Sequence, residues 1–159
     1  MERKLIIRNF GAIASADIAL KDFNIFIGEQ GAGKSTVAKL ITIFENSRDK
    51  VLKVDSDYLM TKFSEYNIIS YFNPDSYISY SSEQGDITYE DGSFNFTFSY
   101  HSTSHNLYIP AERFFISTFS RSIATLVLSK APIPVTLLEF ASFYEKAKNL
   151  FVNYQVPIF

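Results

Sequence analysis

The alternation of apolar and polar residues predicts three short strands at the amino-terminal end of the chain. Residues 5–7 form an apolar run, and residues 17–20 alternate so that one face of the segment is apolar. Residues 23–27 are apolar on both faces, which predicts a strand buried in the middle of a sheet. Residues 21–22 are a short polar connection and predict a hairpin between the last two strands.

Helical spacing of apolar residues follows in four further segments. They cover residues 35–46, 51–69, 111–128 and 135–153. Apolar side chains recur in them every three or four positions, so one side of each helix can pack against a sheet or another helix. Two prolines separate the last two segments, because proline lacks the backbone donor that a continuous helix needs.

The stretch between the second and third helical patterns is rich in Ser, Tyr, Phe and Thr. Residues 87–89 and 94–98 flank an Asp-Gly pair, and glycine adopts the positive φ of a tight turn at little cost, which predicts a hairpin. Residues 107–109 predict one more short strand. Residues 76–82 predict either an exposed strand or loop, or a surface for a partner.

The composition is that of an ordinary globular domain. The chain has 159 residues, of which 47% are hydrophobic and 20% charged, so there is enough apolar material for a core. The net charge of −2 provides no overall positive field for nucleic acid. Because cysteine is absent, disulfides, thiolate metal sites and cysteine nucleophiles are excluded. The sequence has no apolar run long enough for a membrane span and no signal-peptide pattern, so we expect a cytoplasmic protein.

The chemistry of the chain centres on residues 28–35, a complete Gly-x-x-x-x-Gly-Lys-Ser pattern called the P-loop below. Its glycines allow the backbone to wrap closely and to turn N–H groups toward phosphate oxygens. The helix that starts here directs the positive end of its dipole to the same place. The predicted phosphate-binding residues are Gly28, Gly31, Ala32, Gly33, Lys34, Ser35 and Thr36.

Three side chains of this motif have separate predicted roles. Lys34 supplies a positive charge that can reach the β- and γ-phosphates of a nucleotide. Ser35 offers a hydroxyl oxygen to Mg²⁺, and Thr36 is a supporting donor nearby. The motif therefore predicts a nucleotide site that also takes Mg²⁺.

Hydrolysis of a nucleotide needs an acidic residue after an apolar strand, where it organises Mg²⁺ and water. The nearest match ends at Asp55, but Lys53 interrupts its apolar run and the stretch fits a helix better. Asp55 and Asp57 are therefore predicted to lie on a solvated helix face, and no catalytic residue is predicted. His101 and His105 are predicted to be solvated loop residues, because no acidic third ligand for a metal is near them.

Residues 5–13, 16–20 and 23–28, followed by the P-loop and residues 36–41, resemble the ABC-type ATPases of chromosome maintenance and repair. This group includes the SMC and RecF proteins and the overcoming-lysogenization-defect (OLD-like) nucleases. Two strands ahead of the P-loop distinguish it from small kinases, whose loop lies close to the amino terminus. Residues 108–113 are similar to a segment of OLD-like bacterial ATPases.

The resemblance implies that the nucleotide is ATP with Mg²⁺ and that the fold is α/β. It implies a P-loop lobe over residues 1–110, with a mixed sheet, antiparallel amino-terminal strands and a β-rich insertion at about residues 73–105. Residues 111–159 would be a helical segment, the start of a second lobe. The resemblance also implies a head-to-head homodimer with ATP between the heads, and a link to DNA repair or phage defence.

Such ATPases carry a second half, with a signature segment and an apolar strand that ends in Asp-Glu, and neither pattern occurs in this sequence. We therefore expect the amino-terminal part of a longer ATPase. Glu112 and Arg113 are candidates for a switch near the γ-phosphate, the alternative being an ion pair or helix-start acid at the lobe boundary. Gln30 and Gln84 do not match the magnesium-sensing glutamine. Gly11 stands where some members have a basic residue, so no nucleotide contact is assigned to it.

Two other functions stay open. A P-loop kinase would transfer a phosphoryl group to a small molecule, and it would have a substrate pocket with a lid arginine. The two opening strands and the missing kinase-type acidic residue argue against it. A non-catalytic sensor would bind ATP and report it to a partner protein.

Overall fold

The computed structural model describes five segments of the chain. They are residues 3–47, 55–98, 106–111, 128 and 132–154. The chain divides into two compact units, Met1–Asn106 and Leu107–Phe159. The first unit contains a sheet, the P-loop and two α-helices, and the described part of the second contains the long helix α3 (Val135–Tyr154).

One antiparallel sheet organises the first unit. Its strands are β1 (Arg3–Phe10), β2 (Ile13–Leu20), β3 (Tyr77–Ser82), β4 (Gly85–Glu90) and β5 (Ser93–Phe98). Their order across the sheet is β2-β1-β3-β4-β5. Ile7 of β1 pairs with Ala16 on one side and with Ile78 on the other, so β1 is hydrogen-bonded along both edges. The first two predicted strands, at residues 5–7 and 17–20, lie within β1 and β2 and are confirmed.

The predicted hairpin is confirmed in β4 and β5. Asp91 and Gly92 form its two-residue turn, with φ values of 49° and 76°. Two successive positive φ values define a type I′ turn, whose twist matches that of the flanking antiparallel strands. The turn thereby sets the register in which Ile87 lies opposite Phe96.

Two of the predicted helices are confirmed as well. α1 (Lys34–Asn46) matches the pattern at residues 35–46, and α3 matches the pattern at residues 135–153. None of the described helices combines the length and the apolar character needed to cross a membrane. The apolar side chains that α1 buries are Val37, Leu40, Ile43 and Phe44.

The second helix of the first unit, α2 (Ser56–Glu65), is shorter than the pattern at residues 51–69 predicts. Asp55 caps it, because its carboxylate accepts a hydrogen bond from the N–H of Tyr58 at 2.9 Å. Asp57 lies exposed in the first turn, where the helix dipole favours a negative charge. The prediction that both aspartates belong to a solvated helix, rather than to a strand that organises Mg²⁺, is confirmed.

Aromatic side chains from the strands, both helices and the segment after α2 fill the core. This aromatic cluster consists of Phe10, Phe44, Phe63, Phe72, Tyr80, Tyr89 and Phe94. The Phe72 ring centroid lies 4.3 Å from that of Tyr89 and 4.9 Å from those of Phe10 and Phe63. These separations fall in the range where tilted and edge-on ring pairs attract one another.

The prediction of an exposed strand or loop at residues 76–82 is wrong. Most of this stretch is β3, the middle strand of the sheet, and its Ile78 and Tyr80 are fully buried. The Tyr80 hydroxyl donates a hydrogen bond to the buried carboxylate of Glu45, which lies 3.6 Å from the Arg3 guanidinium. Pairing on both edges and packing against α1 explain the burial, and they leave little of β3 for a partner.

The prediction that residues 23–27 form a buried strand is also wrong, and so is the hairpin at residues 21–22. The segment forms no strand, and Phe23, Ile25 and Ile27 are 80%, 70% and 92% exposed. A strand needs a neighbour that satisfies its backbone, and none lies beside it in the described part of the first unit. The sheet there is antiparallel throughout, so the predicted mixed sheet is wrong for these residues.

The strand predicted at residues 107–109 is absent, since these residues form no ladder. Asn106, just ahead of them, exchanges hydrogen bonds of 2.8 and 2.6 Å with the Asn46 side chain at the end of α1. Asn106 therefore lies at the end of α1. The helix predicted over residues 111–128 lies outside the described residues except at its two ends.

Candidate functional site

Two glycines set the path of the P-loop. Gly31 and Gly33 have φ values of 85° and 84°, which side chains of L residues rarely adopt. A Cβ atom at Gly33 would also lie 2.5 Å from the Cγ1 atom of Ile13, so space as well as conformation requires glycine there. At Gly31 no atom lies within 4 Å of such a Cβ, and only the conformation is restrictive. The P-loop is thus packed against the start of β2.

The start of α1 carries backbone donors without acceptors. Gly33 is the N-cap, no side chain caps the helix, and the first turn contains no acidic residue. The first helical hydrogen bond joins the N–H of Val37 to the carbonyl of Gly33 at 3.0 Å. Among the described residues, nothing accepts from the N–H groups of Lys34, Ser35 and Thr36. These donors, added to the positive end of the helix dipole, suit an anion.

The ammonium group of Lys34 folds back over the loop that precedes it. It donates to the carbonyl of Gly28 at 2.8 Å and to that of Glu29 at 2.6 Å. Two of its three N–H donors are therefore engaged by neutral oxygens, and one is left. Hydrogen bonds between an ammonium and an anionic oxygen are stronger than those to a carbonyl, so a phosphate can displace these contacts.

The residues present also fit Mg²⁺. Ser35 is exposed, so its hydroxyl oxygen is open to the cavity beside α1, whereas Thr36 is buried. In the part of the chain that the structure describes, no three His, Asp or Glu residues group together as a metal site. Mg²⁺ keeps several waters and binds nucleotide phosphates with few protein ligands, of which a P-loop hydroxyl is one. Ser35 is the residue that would hold it.

These groups surround one cavity of about 550 Å³. Its volume lies in the usual range of small-ligand sites. The phosphate-loop wall of the cavity consists of Gln30, Gly31, Gly33, Lys34, Ser35 and Thr36. Of the predicted phosphate-binding residues, Gly28 and Ala32 are outside this wall, although the Gly28 carbonyl holds Lys34.

The cavity has a second wall, and its residues were not predicted from the sequence. Gly11 and Ala12, in the turn between β1 and β2, and Tyr71, in a short 3-10 helix (Ile69–Tyr71), form it. The only local signal is Gly11, whose φ of 57° favours glycine. Nothing in the neighbouring sequence marks Tyr71, because the sheet and helix packing brings it to the hairpin turn.

None of the other residues weighed from the sequence is among the described residues that line the cavity. Glu112, Arg113, His101 and His105 lie outside the described residues, so their predicted roles stay predictions. Gln84 lies in the turn between β3 and β4, where its Oε1 atom is buried without a hydrogen-bond partner among the described residues.

Comparison with known protein families finds a match that covers most of the chain. A family model described as an AAA ATPase domain matches residues 1–151. The chain belongs to the AAA ATPase domain family. No curated protein and no solved structure matches it. For an AAA ATPase domain, nucleotide binding is the common property, with ATP as the nucleotide and usually Mg²⁺, which agrees with a phosphate site at the P-loop.

Proposed function

We propose that this AAA ATPase domain is the ATP-binding portion of an ABC-type ATPase of the SMC, RecF and OLD-like group. It binds the phosphates of Mg·ATP at residues 28–36, with Lys34 on the terminal phosphates and Ser35 on the metal. The ATP-bound form joins a second head, head to head, and the nucleotide switch serves DNA repair or phage defence.

The observation that carries the proposal is the convergence of donors on one cavity. Three free N–H groups at the start of α1, the Lys34 ammonium and the exposed Ser35 hydroxyl all belong to its phosphate-loop wall. Together they provide a positive, hydrogen-bonding lining, and none of the described residues that line the cavity carries an acidic side chain that would repel a phosphate.

Hydrolysis of ATP needs catalytic groups in addition to the described residues that line this cavity. The reaction needs a carboxylate that organises Mg²⁺ and water, and charge stabilisation at the γ-phosphate. The nearest acidic candidate, Asp55, caps α2 instead. In the proposed mechanism the acidic residue and the signature segment come from outside the described residues, and the signature acts across the head-to-head dimer.

The same observation favours a second candidate, a nucleotide sensor without catalysis. Such a sensor uses the phosphate-loop wall in the same way, but it releases ATP unchanged. Asp55 is not available as a catalytic carboxylate in either function, so it does not separate them. The rate of phosphate release from ATP does separate them.

Titration calorimetry with Mg·ATP tests the central claim. Lys34→Ala removes the charge that would contact the terminal phosphates, so we expect its ATP affinity to fall at least about tenfold. Lys4→Ala is the matched control, because Lys4 is exposed on β1 and lies outside the cavity wall. Equal affinity in the two variants would refute the phosphate site. Phosphate release by the same samples then separates the ATPase from the sensor.

A further inference from the structure

The second wall of the cavity differs in chemistry from the first. Among the described residues it consists of Gly11, Ala12 and Tyr71, none of which is charged. Phosphates are drawn to the phosphate-loop wall, where Lys34 and the start of α1 lie. The uncharged parts of a nucleotide, its sugar and its base, therefore suit the second wall.

We propose that Tyr71 contacts the nucleobase through its ring and makes the cavity selective for nucleotides over bare polyphosphates. This inference rests on the proposed function, because it assumes that the phosphates bind at the P-loop. It assigns a specificity role to a residue far from the motif in the sequence.

The backbone holds Tyr71 in place before any ligand binds. Its carbonyl accepts a hydrogen bond from the N–H of Gly11 at 3.0 Å, and its N–H donates to the carbonyl of Ile68 at 3.1 Å. The Phe10 ring meets the Tyr71 ring edge-on, with 5.7 Å between the centroids. A side chain fixed in this way loses little further freedom when a ligand binds, which favours affinity.

Gly11 determines how closely the Tyr71 ring approaches the turn. A Cβ atom at Gly11 would lie 2.6 Å from Cδ2 and 2.8 Å from Cγ of that ring, so no larger residue fits beneath it. The Tyr71 residue stays partly exposed. A partly exposed aromatic side chain on the wall of a ligand-sized cavity matches the stacking platforms that bind bases.

We expect the cavity to prefer ligands that carry a nucleobase, without preferring one base over another. Stacking on an aromatic ring tolerates every base, because every base has a π-face. The second wall carries no side-chain amide or charge that would read the edge of a purine. We therefore expect Mg·ATP and Mg·GTP to differ little, and both to bind more tightly than inorganic tripolyphosphate.

The test measures the affinity of Mg·ATP and of inorganic tripolyphosphate for the same protein samples. Tyr71→Leu keeps apolar bulk against Gly11 but removes the ring, and Tyr71→Phe keeps the ring. Tyr77→Leu is the matched control, a partly exposed tyrosine at the start of β3 that does not line the cavity. Thermal melts check that each variant is folded.

We expect Tyr71→Leu to weaken Mg·ATP about tenfold while tripolyphosphate affinity stays as in the wild type. Tyr71→Phe and Tyr77→Leu should leave both affinities unchanged. An unaltered ratio of the two affinities in Tyr71→Leu would overturn the inference, whether both fall or neither does, because a purely structural role of Tyr71 cannot single out the base.

A measurement on the wild type keeps the inference testable if Tyr71→Leu does not fold. Ribose 5-triphosphate carries the phosphates and sugar of ATP without the base, so it should bind about tenfold more weakly than ATP. Equal binding of the two would overturn the role of Tyr71. Failure of the wild type to bind ATP and tripolyphosphate at all would instead refute the phosphate site itself.

Discussion

The aromatic cluster and the segment at residues 23–27 are built from the same kinds of side chain, yet their exposure is opposite. Phe63 of the cluster is 0% exposed, whereas Phe23 is 80% and Ile27 92% exposed. Both are strongly apolar in sequence, and the segment is apolar on both faces, as in a buried strand. The difference lies in what each one packs against.

The cluster is assembled by contacts between distant parts of the chain. Phe63 on α2 contacts Phe10 of β1 and Phe94 of β5, with ring centroids 5.9 and 5.8 Å apart. Residues 23–27 have no comparable neighbour in the described part of the first unit. Apolar surface is driven out of water, but it is buried only where another apolar surface is available to cover it. The apolar run before the P-loop is therefore exposed because no apolar surface among the described residues covers it.

The largest effect should come from the cluster itself. Phe63→Ala opens a cavity among four aromatic rings, so we expect it to lower the free energy of unfolding by roughly 3–5 kcal/mol. Phe23→Ala deletes a ring that is already in water, and its effect should stay within about 0.5 kcal/mol. Urea unfolding of the two variants measures both values. Similar losses would show that the two regions do not differ in burial.

Substitutions in the P-loop, where it packs against β2, should have an intermediate effect on the free energy of unfolding. Gly33→Ala forces an alanine into the left-handed region and places its Cβ on Ile13, so it should cost roughly 2–4 kcal/mol. Gly31→Ala carries the conformational strain alone and should cost about 1–2 kcal/mol. Thermal unfolding of the two variants measures how much more stability Gly33→Ala loses than Gly31→Ala. A smaller loss at position 33 than at 31 would contradict the packing of the P-loop on β2.

The smallest effect should come from the exposed segment. Ile25→Ser should change the unfolding free energy of this chain by no more than about 0.5 kcal/mol, because its side chain is 70% exposed. Ile7→Ser, at a fully buried position of β1, is the matched control, and it should be severely destabilising. Urea unfolding of both variants provides the measurement. A large loss in Ile25→Ser would mean that the segment is covered in solution.

Local sequence patterns gave correct predictions for elements that form through residues close together in the sequence, such as α1 and the turn between β4 and β5. The spacing of Val37, Leu40 and Phe44 predicted α1, because a helix satisfies its own backbone and needs only one apolar stripe. The Asp91-Gly92 pair predicted the hairpin, because both residues accept the positive φ of its turn. Prediction failed for β3 and for residues 23–27, where burial depends on which strand pairs with which.

By itself the sequence determined the Gly-x-x-x-x-Gly-Lys-Ser motif, its place at the start of a helix, and the glycines that the loop requires. Each of these depends on residues that are neighbours in the chain. Only the tertiary structure decided that β3 is the middle strand, that residues 23–27 stay exposed, and that Tyr71 reaches the P-loop cavity. Those outcomes depend on pairing and packing between segments far apart in sequence, which no local pattern encodes.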